Sequence, residues 1–351
     1  MEKVKKIEKN LINQLDDFDI KDFTSQEKKF FNKKKILITG VSGQIGINLL
    51  FFFNKLDSIK KIKIEIDGTY NTKLFNFIKS YFKKKKNFSF LKIDLTKSKP
   101  LFNKKYDLIF HCAGYGQPSK FMKNKKETFL LNSKLIIDFK KYLKKNGKFV
   151  YMSTTEIYSG NKKKCKEDDI GFTGPLHPRS AYIDSKKFGE SYIVNMFNNY
   201  LIFRVCLTYG PGVKLDDERV LNQVILRSIN NNSIDVYGGL NQLRSNLYIV
   251  DAIKMIIKAT TKTNNTILNL NNNKLITLGK IFRLISKMAN KKLINHKPRL
   301  FGSPNIIKIS NSKILDLLNY KISVGQNEGL KKTRKWYEDL IKLSKKNKGR
   351  I

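Results

Sequence analysis

From Lys34 to Leu56 the chain reads KKILITGVSGQIGINLLFFFNKL: a β-branched run, a turn with glycines at 40, 43 and 46, and a helical apolar run. No other stretch restricts the fold as strongly. Glycines in such a turn let the backbone bend tightly and approach a ligand closely. The helix that follows offers its first N–H groups and the positive end of its dipole to that ligand. A strand feeding directly into a helix also needs a crossover, so the next strand pairs with the first in parallel. Strand and helix patterns then alternate through KIKIEID, KLFNFIKSYFKK, FSFLKID, YDLIFHCA, a helix around Asn132 to Lys145, and GKFVYMS. That alternation predicts a parallel, doubly wound α/β sheet.

In this context the GxxGxxG turn reads as a dinucleotide site, with Gly40, Gly43 and Gly46 in the turn and Gln44 and Ile45 between them. Asp67, placed at the end of the next strand 21 residues after Gly46, is the expected ribose contact. An acid there accepts hydrogen bonds from a ribose 2′-hydroxyl and repels a 2′-phosphate, which favours NAD over NADP.

Three regions are expected. Residues 1–32 form a helical arm, with Val4, Ile7, Leu11, Ile12 and Leu15 at helical spacing. Residues 33–175 form the dinucleotide-binding domain. Residues 176–345 complete its sheet, through a helix from about Ala181 to Asn198 and a strand YLIFRVC, and form a smaller, interleaved substrate domain. Loops at 171–179, 210–219 and 238–246 are expected to enclose a ligand.

The net charge of +41 suggests a polyanion partner, but only nine of the 70 basic residues are Arg and the lysines are spread along the whole chain. Lysine is the poorer choice for bidentate phosphate recognition, so the excess reads as compositional drift and solvated surface, and no nucleic-acid partner is expected. Cys112, Cys165 and Cys206 are far apart and odd in number, as are the three histidines His111, His177 and His296, so no metal site is expected. No apolar run reaches about 18 residues, and neither a membrane span nor a signal peptide is expected; the reading is a cytoplasmic protein with reduced thiols.

Two motifs carry chemistry. YIDSK places Tyr182 and Lys186 at i, i+4 on one helix face, where an ammonium beside a phenol would lower the phenol's pKa from about 10. STTEIYSG, from Ser153 to Gly160, puts hydroxyls and the Glu156 carboxylate directly after the strand KFVYM, as the wall of an active site would.

In order along the chain, TGVSGQIG, HCAG, STTEIYSG, YIDSK, RVCLTYGPG, LRSNLYIVDAI and LKKTRKWY resemble the extended short-chain dehydrogenase/reductases that act on nucleotide sugars, over roughly residues 34–337. STTEIY followed by PRSAY is most similar to the UDP-glucuronate decarboxylases. The resemblance implies a Rossmann fold, NAD, a nucleotide-sugar substrate and a homodimer paired through the Tyr/Lys helix. It implies Thr154, Tyr182 and Lys186 as catalytic residues, with Glu156 placed near C5 and C6 of the sugar. Asp94 and Leu95 match adenine-side contacts, Ala113 and Asn132 residues near the nicotinamide ribose, and Arg244 the substrate diphosphate contact, with Arg179 and Leu207 also at the substrate. Leu207 stands where many relatives have Asn, which leaves the sugar or its pose open. Thr155-Glu156 in place of the dehydratases' Asp-Glu pair argues against 4,6-dehydration. UDP-glucuronate decarboxylation through a transient 4-keto sugar is therefore the leading expectation, with 4-epimerisation and 4-keto reduction as alternatives. A non-catalytic NAD-bound module holding RNA or another polyanion is the remote one.

Overall fold

The computed structural model describes residues 2–59, 62–97, 102–161, 163–296 and 308–347; Lys162, in the lysine run at 161–166, lies outside them. The strands are β1 (Lys34–Thr39), β2 (Ile64–Tyr70), β3 (Phe88–Lys92), β4 (Tyr106–His111), β5 (Leu143–Thr154), β6 (Tyr200–Val205), β7 (Leu207–Tyr209), β8 (Ser233–Tyr237), β9 (Leu243–Arg244), β10 (Asn246–Tyr248), β11 (Thr266–Leu270), β12 (Ile276–Thr277) and β13 (Lys292–His296). Helices α1 (Glu2–Leu15), α2 (Ser25–Phe30), α3 (Gln44–Asp57), α4 (Asn76–Phe82), α5 (Pro118–Lys123), α6 (Lys125–Asn132) and α7 (Lys134–Phe139) belong to the first half. Helices α8 (Ser180–Met196), α9 (Val220–Asn230), α10 (Ile249–Lys262), α11 (Leu278–Ala289), α12 (Ser312–Leu318) and α13 (Gln326–Lys346) belong to the second.

Seven strands form one parallel sheet in the order β11-β6-β5-β4-β1-β2-β3, so the second half of the chain supplies two strands to the sheet begun by the first. Alternate residues of a strand face opposite sides of a sheet, and both sides are apolar here. Leu37, Ile109, Phe149 and Ile202 pack with Leu135, Ile136 and Ile193 of α7 and α8 on one side. Ile36, Ile38, Phe110, Val150, Leu201 and Phe203 pack with α3 and α10 on the other. Burial of each such side chain contributes about 1.5–3 kcal/mol, and a sheet covered on both faces presents function at its strand ends.

The N-terminal arm closes the α3–α10 side. Phe18 and Phe23 pack on Phe52 at ring-centroid distances of 5.7 and 5.0 Å. Thr24 and Glu27 form a capping box that starts α2, and Asp22 meets Lys254 of α10 at 2.5 Å. The small pairs β7–β10, β8–β13 and β9–β12, with α9 and α11, make the second lobe.

Two elements differ from expectation. β2 does not stop at Asp67 but continues to Tyr70. Gly68 reads as turn chemistry, yet it is a strand position where a Cβ would meet the Val41 and Phe90 side chains at 2.9 and 3.0 Å. The helix expected to reach Lys145 ends at Phe139, apart from one 3₁₀ turn at Lys140–Tyr142. β5 starts at Leu143, with a register shift opposite Tyr106 and Leu108. Gly147 allows that irregularity, since a Cβ there would lie 2.8 Å from the Tyr106 carbonyl oxygen.

Candidate active site

β1 delivers the chain to Gly40, whose φ of +71° is left-handed and whose absent Cβ would sit 2.8 Å from Ala113 Cα. Gly46 is as confined, 2.4 Å from the Gly40 carbonyl oxygen by the same measure. The first helical bond runs from Ile47 N–H to the Gly43 carbonyl. The N–H groups of Gln44, Ile45 and Gly46 therefore precede the helical ladder and are available to an anion. Beside the turn, neutral His111 links β4 to β1. Its Nε2–H donates to the Leu131 carbonyl (3.0 Å) and its Nδ1 accepts from Thr39 Oγ1 (2.8 Å), which in turn accepts from the Cys112 and Ala113 N–H groups. Complete burial depresses the His111 pKa to about 3, so this link stays uncharged.

Asp67, three residues short of the strand end, does not lie beside the glycine turn. The β1–β2 register puts Thr69 next to Thr39, and Thr69 O accepts from Val41 N–H. The Asp67 carboxylate instead accepts from Tyr106 (2.6 Å), Lys104 (2.8 Å) and Ser89, lining a cavity of about 420 Å³ with Phe90 and Phe102. Burial works against its charge, but the Lys104, Ser89 and Tyr106 donors outweigh it and hold its pKa below the usual carboxylate value. Asp94 follows β3 and accepts from Thr96 N–H and Oγ1 at 3.0 and 2.6 Å; this bond lowers its pKa. Leu95 packs partly buried against the β4 side of the sheet.

β5 ends at Thr154, whose hydroxyl caps the 3₁₀ turn Thr155–Tyr158 by accepting from Glu156 N–H at 3.2 Å. That turn projects Glu156 toward α8, where Arg179 Nη1 donates to Oε1 at 2.5 Å. Tyr182, in the first turn of α8, lies close enough to the Thr154 hydroxyl for that group to lower its pKa. Burial and then the Glu156 charge push the Tyr182 phenol well above its ordinary pKa, while Thr154, Arg179 and Arg219 pull it down.

Lys186 departs from expectation. It lies one turn below Tyr182, but its Nζ donates to the Met152 carbonyl at 2.7 Å and sits 4.5 Å from the Tyr151 ring centroid. The charges that lower the phenol are the two guanidiniums. Burial brings the Lys186 pKa down to about 7 against the opposing pull of Glu190. Lys186 and Asn132 both approach Gly114, the residue after Ala113, and Asn132 donates to Ser185 Oγ at 3.0 Å.

The second lobe adds Arg244, in β9, whose pKa burial and nearby Arg179 lower to about 10 while Glu156 raises it. Leu207 is half-buried at the start of β7, paired with Asn246 of β10. Sequence reasoning missed Arg219, which the Asp217 carboxylate grips through Nε (3.0 Å) and Nη2 (2.8 Å) while it faces Tyr182. The Gln44 side chain turns toward this lobe: its Nε2 donates to the Gly210 carbonyl (3.1 Å) and its Oε1 accepts from Thr208 Oγ1 (3.0 Å) and Arg219 Nη2 (3.4 Å). Behind the site, buried Glu190 accepts from Ser153 Oγ (2.5 Å) and from Arg204 Nε and Nη2 (3.1 and 2.7 Å). Glu190 lies one turn beyond Lys186, and that spacing was the available signal for it. Among the described residues, no group of three or more His, Cys, Asp or Glu could hold a metal ion.

The glycine turn after β1 and the Thr154, Tyr182 and Lys186 side chains lie toward the carboxyl ends of the central strands, where a doubly wound sheet binds a dinucleotide. The profile of the NAD dependent epimerase/dehydratase family matches residues 36–270, and the chain belongs to that family. It is 25% identical over 319 residues to UDP-glucuronic acid decarboxylase 1 of Danio rerio, covering 87% of this chain and 73% of that protein. Its fold is similar to the epimerase Mth375 of Methanothermobacter thermautotrophicus (TM-score 0.79, 20% identity, 91% and 96% of the two chains). It is also similar to the UDP-glucuronic acid 4-epimerase of Bacillus cereus, solved with UDP-glucuronic acid and NAD (TM-score 0.72, 23% identity, 87% and 99%). NAD is the cofactor of the family, and the tight Gly40–Gly46 turn fits it: without Cβ atoms Gly40 packs on the Ala113 backbone and Gly46 on the Gly40 carbonyl, which folds the turn at the start of α3, where the first N–H groups can meet a pyrophosphate.

Proposed function

We propose that this enzyme converts a nucleotide sugar through a transient 4-keto intermediate, and that its reaction is UDP-glucuronate decarboxylation. One observation carries the reading: Thr154 and Tyr182 lie beside the Glu156–Arg179 ion pair, with the Arg219 and Arg244 guanidiniums within electrostatic reach of it. Three guanidiniums against two carboxylates, Glu156 and Asp217, leave a net positive charge that suits a substrate carrying both a diphosphate and a carboxylate. The named decarboxylase relative supports the same choice.

Within this reading the backbone of Gly40, Gly43, Gln44, Ile45 and Gly46 holds the NAD pyrophosphate, Asp94 and Leu95 flank the adenine, and Ala113, Asn132 and Lys186 hold the nicotinamide ribose. When bound, NAD would accept the hydride from sugar C4 and later give it back, with no net redox change. Tyr182, oriented by Thr154, takes the proton of the 4-hydroxyl as the C4 ketone forms. Arg179 and Arg219 stabilise the phenolate before that transfer. Arg244 holds the diphosphate. Ketone formation makes the C6 carboxylate a β-keto acid: the C5–C6 bond breaks, CO₂ leaves, and its electron pair passes into the C4 enolate. Glu156, fixed by Arg179, orients the carboxylate and handles the proton that returns to C5.

Leu207 supports a second reading, C4 epimerisation or 4-keto reduction, because an apolar side chain beside the sugar gives no hydrogen bond to fix its pose. We also place a homodimer and a reducing, cytoplasmic setting in this account. Phe129, Ile137 and Phe188 of α6, α7 and α8 are 45, 44 and 48% exposed, which supports pairing through that helical face, and three free thiols support the compartment. Among the described residues no helix is long and apolar enough to cross a membrane. The deciding experiment incubates the purified protein with UDP-glucuronate and NAD and analyses the products. CO₂ with a UDP-pentose is expected. Turnover of UDP-glucose or a 4-keto sugar without any CO₂ from UDP-glucuronate would refute decarboxylation.

A further inference from the structure

Tyr182 is held by more than its own helix. Its ring lies flat on Phe121, with centroids 4.3 Å apart and planes 4° from parallel, the closest ring pair among the described residues. Both are deeply buried, Phe121 at 1% exposure and Tyr182 at 8%. The guanidinium of Arg179, which anchors Glu156, lies 5.6 Å from the centroid of the same Phe121 ring. One aromatic surface thus supports both the phenol and the ion pair.

Phe121 is carried by α5, a single short helix after β4 that is tied to the opposite lobe. Lys120 meets Asp216 at 3.1 Å, and Gln117 Oε1 accepts from Glu218 N–H at 3.1 Å. On its other side Asn124 donates to the Lys120 carbonyl at 2.7 Å, and Thr128 to the Asn124 carbonyl at 2.7 Å. The loop that clamps α5 also carries Arg219, which faces Tyr182. The platform under the base is therefore fixed from the cofactor side and from the substrate side at once.

We infer that Phe121 is a positioning residue for Tyr182: its ring fixes the rotation and lateral place of the phenol, so that the phenolic oxygen stays beside the Thr154 hydroxyl and the Glu156–Arg179 pair. The inference rests on Tyr182 acting as the base in the reaction proposed above. A flat contact resists both sliding and ring rotation, which an aliphatic side chain of similar bulk does not. Displacing a reacting oxygen by about 1 Å costs on the order of 10²-fold in rate without altering substrate affinity.

The test compares the full-length Phe121→Leu and Phe121→Tyr proteins with wild type. Phe121→Leu is expected to lower kcat about 10- to 100-fold at unchanged KM for the nucleotide sugar, and Phe121→Tyr, which keeps the ring, to restore most of it. The second readout needs no turnover: 3-fluorotyrosine placed at position 182 and followed by fluorine NMR in the protein alone. Slow ring rotation on Phe121 gives two lines, and Phe121→Leu merges them into one. Wild-type kcat in Phe121→Leu, or a raised KM at unchanged kcat, would overturn the inference, as would a fluorine spectrum identical to that of wild type. If Phe121→Leu does not fold, Phe121→Met is read by the same criteria. A wild-type protein inert toward every nucleotide sugar would refute the proposed reaction and leave the fluorine spectra to decide the role of Phe121.

Discussion

Glu190→Gln preserves the shape of a side chain and removes one buried charge. In the structure that charge meets Arg204, 1% exposed, through Nε (3.1 Å to each carboxylate oxygen) and Nη2 (2.7 Å), and it accepts from Ser153 Oγ. The remaining Arg204 bonds go to the Tyr158 hydroxyl at 2.8 Å and the Glu167 carbonyl, neither of which carries a charge. Removing one partner of a buried pair leaves an uncompensated ion and costs about 3–5 kcal/mol. For 351 residues the unfolding entropy is about 0.7 kcal/mol/K, so the melting temperature should fall by about 4–7 °C. Scanning calorimetry of the protein without ligand measures this directly. Replacing both partners with apolar residues, Glu190→Leu with Arg204→Met, should recover most of the loss, because the cost lies in the orphaned charge and not in the missing contact. A Glu190→Gln protein that melts within about 1 °C of wild type would refute the reasoning.

Three further outcomes follow from the site. Lys186→Met should stabilise the ligand-free protein. The folded pKa of Lys186 is about 7 against 10.5 unfolded, so the folded state binds fewer protons between these values and the cost of burying the ammonium is relieved as pH rises. The gain measured by urea unfolding should be full below pH 7 and shrink toward pH 10; a gain that grows with pH contradicts it. Glu156→Gln removes the charge that, after burial, most raises the Tyr182 phenol, so the ascending limb of kcat/KM against pH should move to lower pH while kcat falls about 10²-fold. Gln44→Leu deprives Thr208 and Arg219 of an acceptor and should cost about 1–3 kcal/mol in urea unfolding, whereas an unchanged midpoint would deny the link between the lobes.

The sheet and its glycine turn were legible because their signals are local: apolar periods of 2 and 3.6 residues, and glycines at fixed offsets. The places of Thr154, Glu156 and Tyr182, at the end of β5, in the turn after it and at the start of α8, were legible for the same reason. Asp67 misled because Asp-Gly is turn chemistry in isolation, whereas Gly68 here is a strand residue pressed between Val41 and Phe90. The Lys186 contact was not legible, since spacing gives a helix face but not the competing carbonyl of Met152, 34 residues away. Gln44 and Arg219 are 175 residues apart and Phe121 and Tyr182 lie on separate helices, so only the fold brings them together.

The central claim is that Tyr182 removes a proton from a nucleotide sugar while the sugar gives up its C4 hydride. Single-turnover mixing of the NAD-loaded enzyme with UDP-glucuronate, followed by NADH absorbance, tests it most directly. The account predicts a transient rise in NADH that is slowed by deuterium at C4 and reduced about 10²- to 10⁴-fold in rate in Tyr182→Phe. Product formation with no C4 isotope effect, or a Tyr182→Phe protein as fast as wild type, would contradict it.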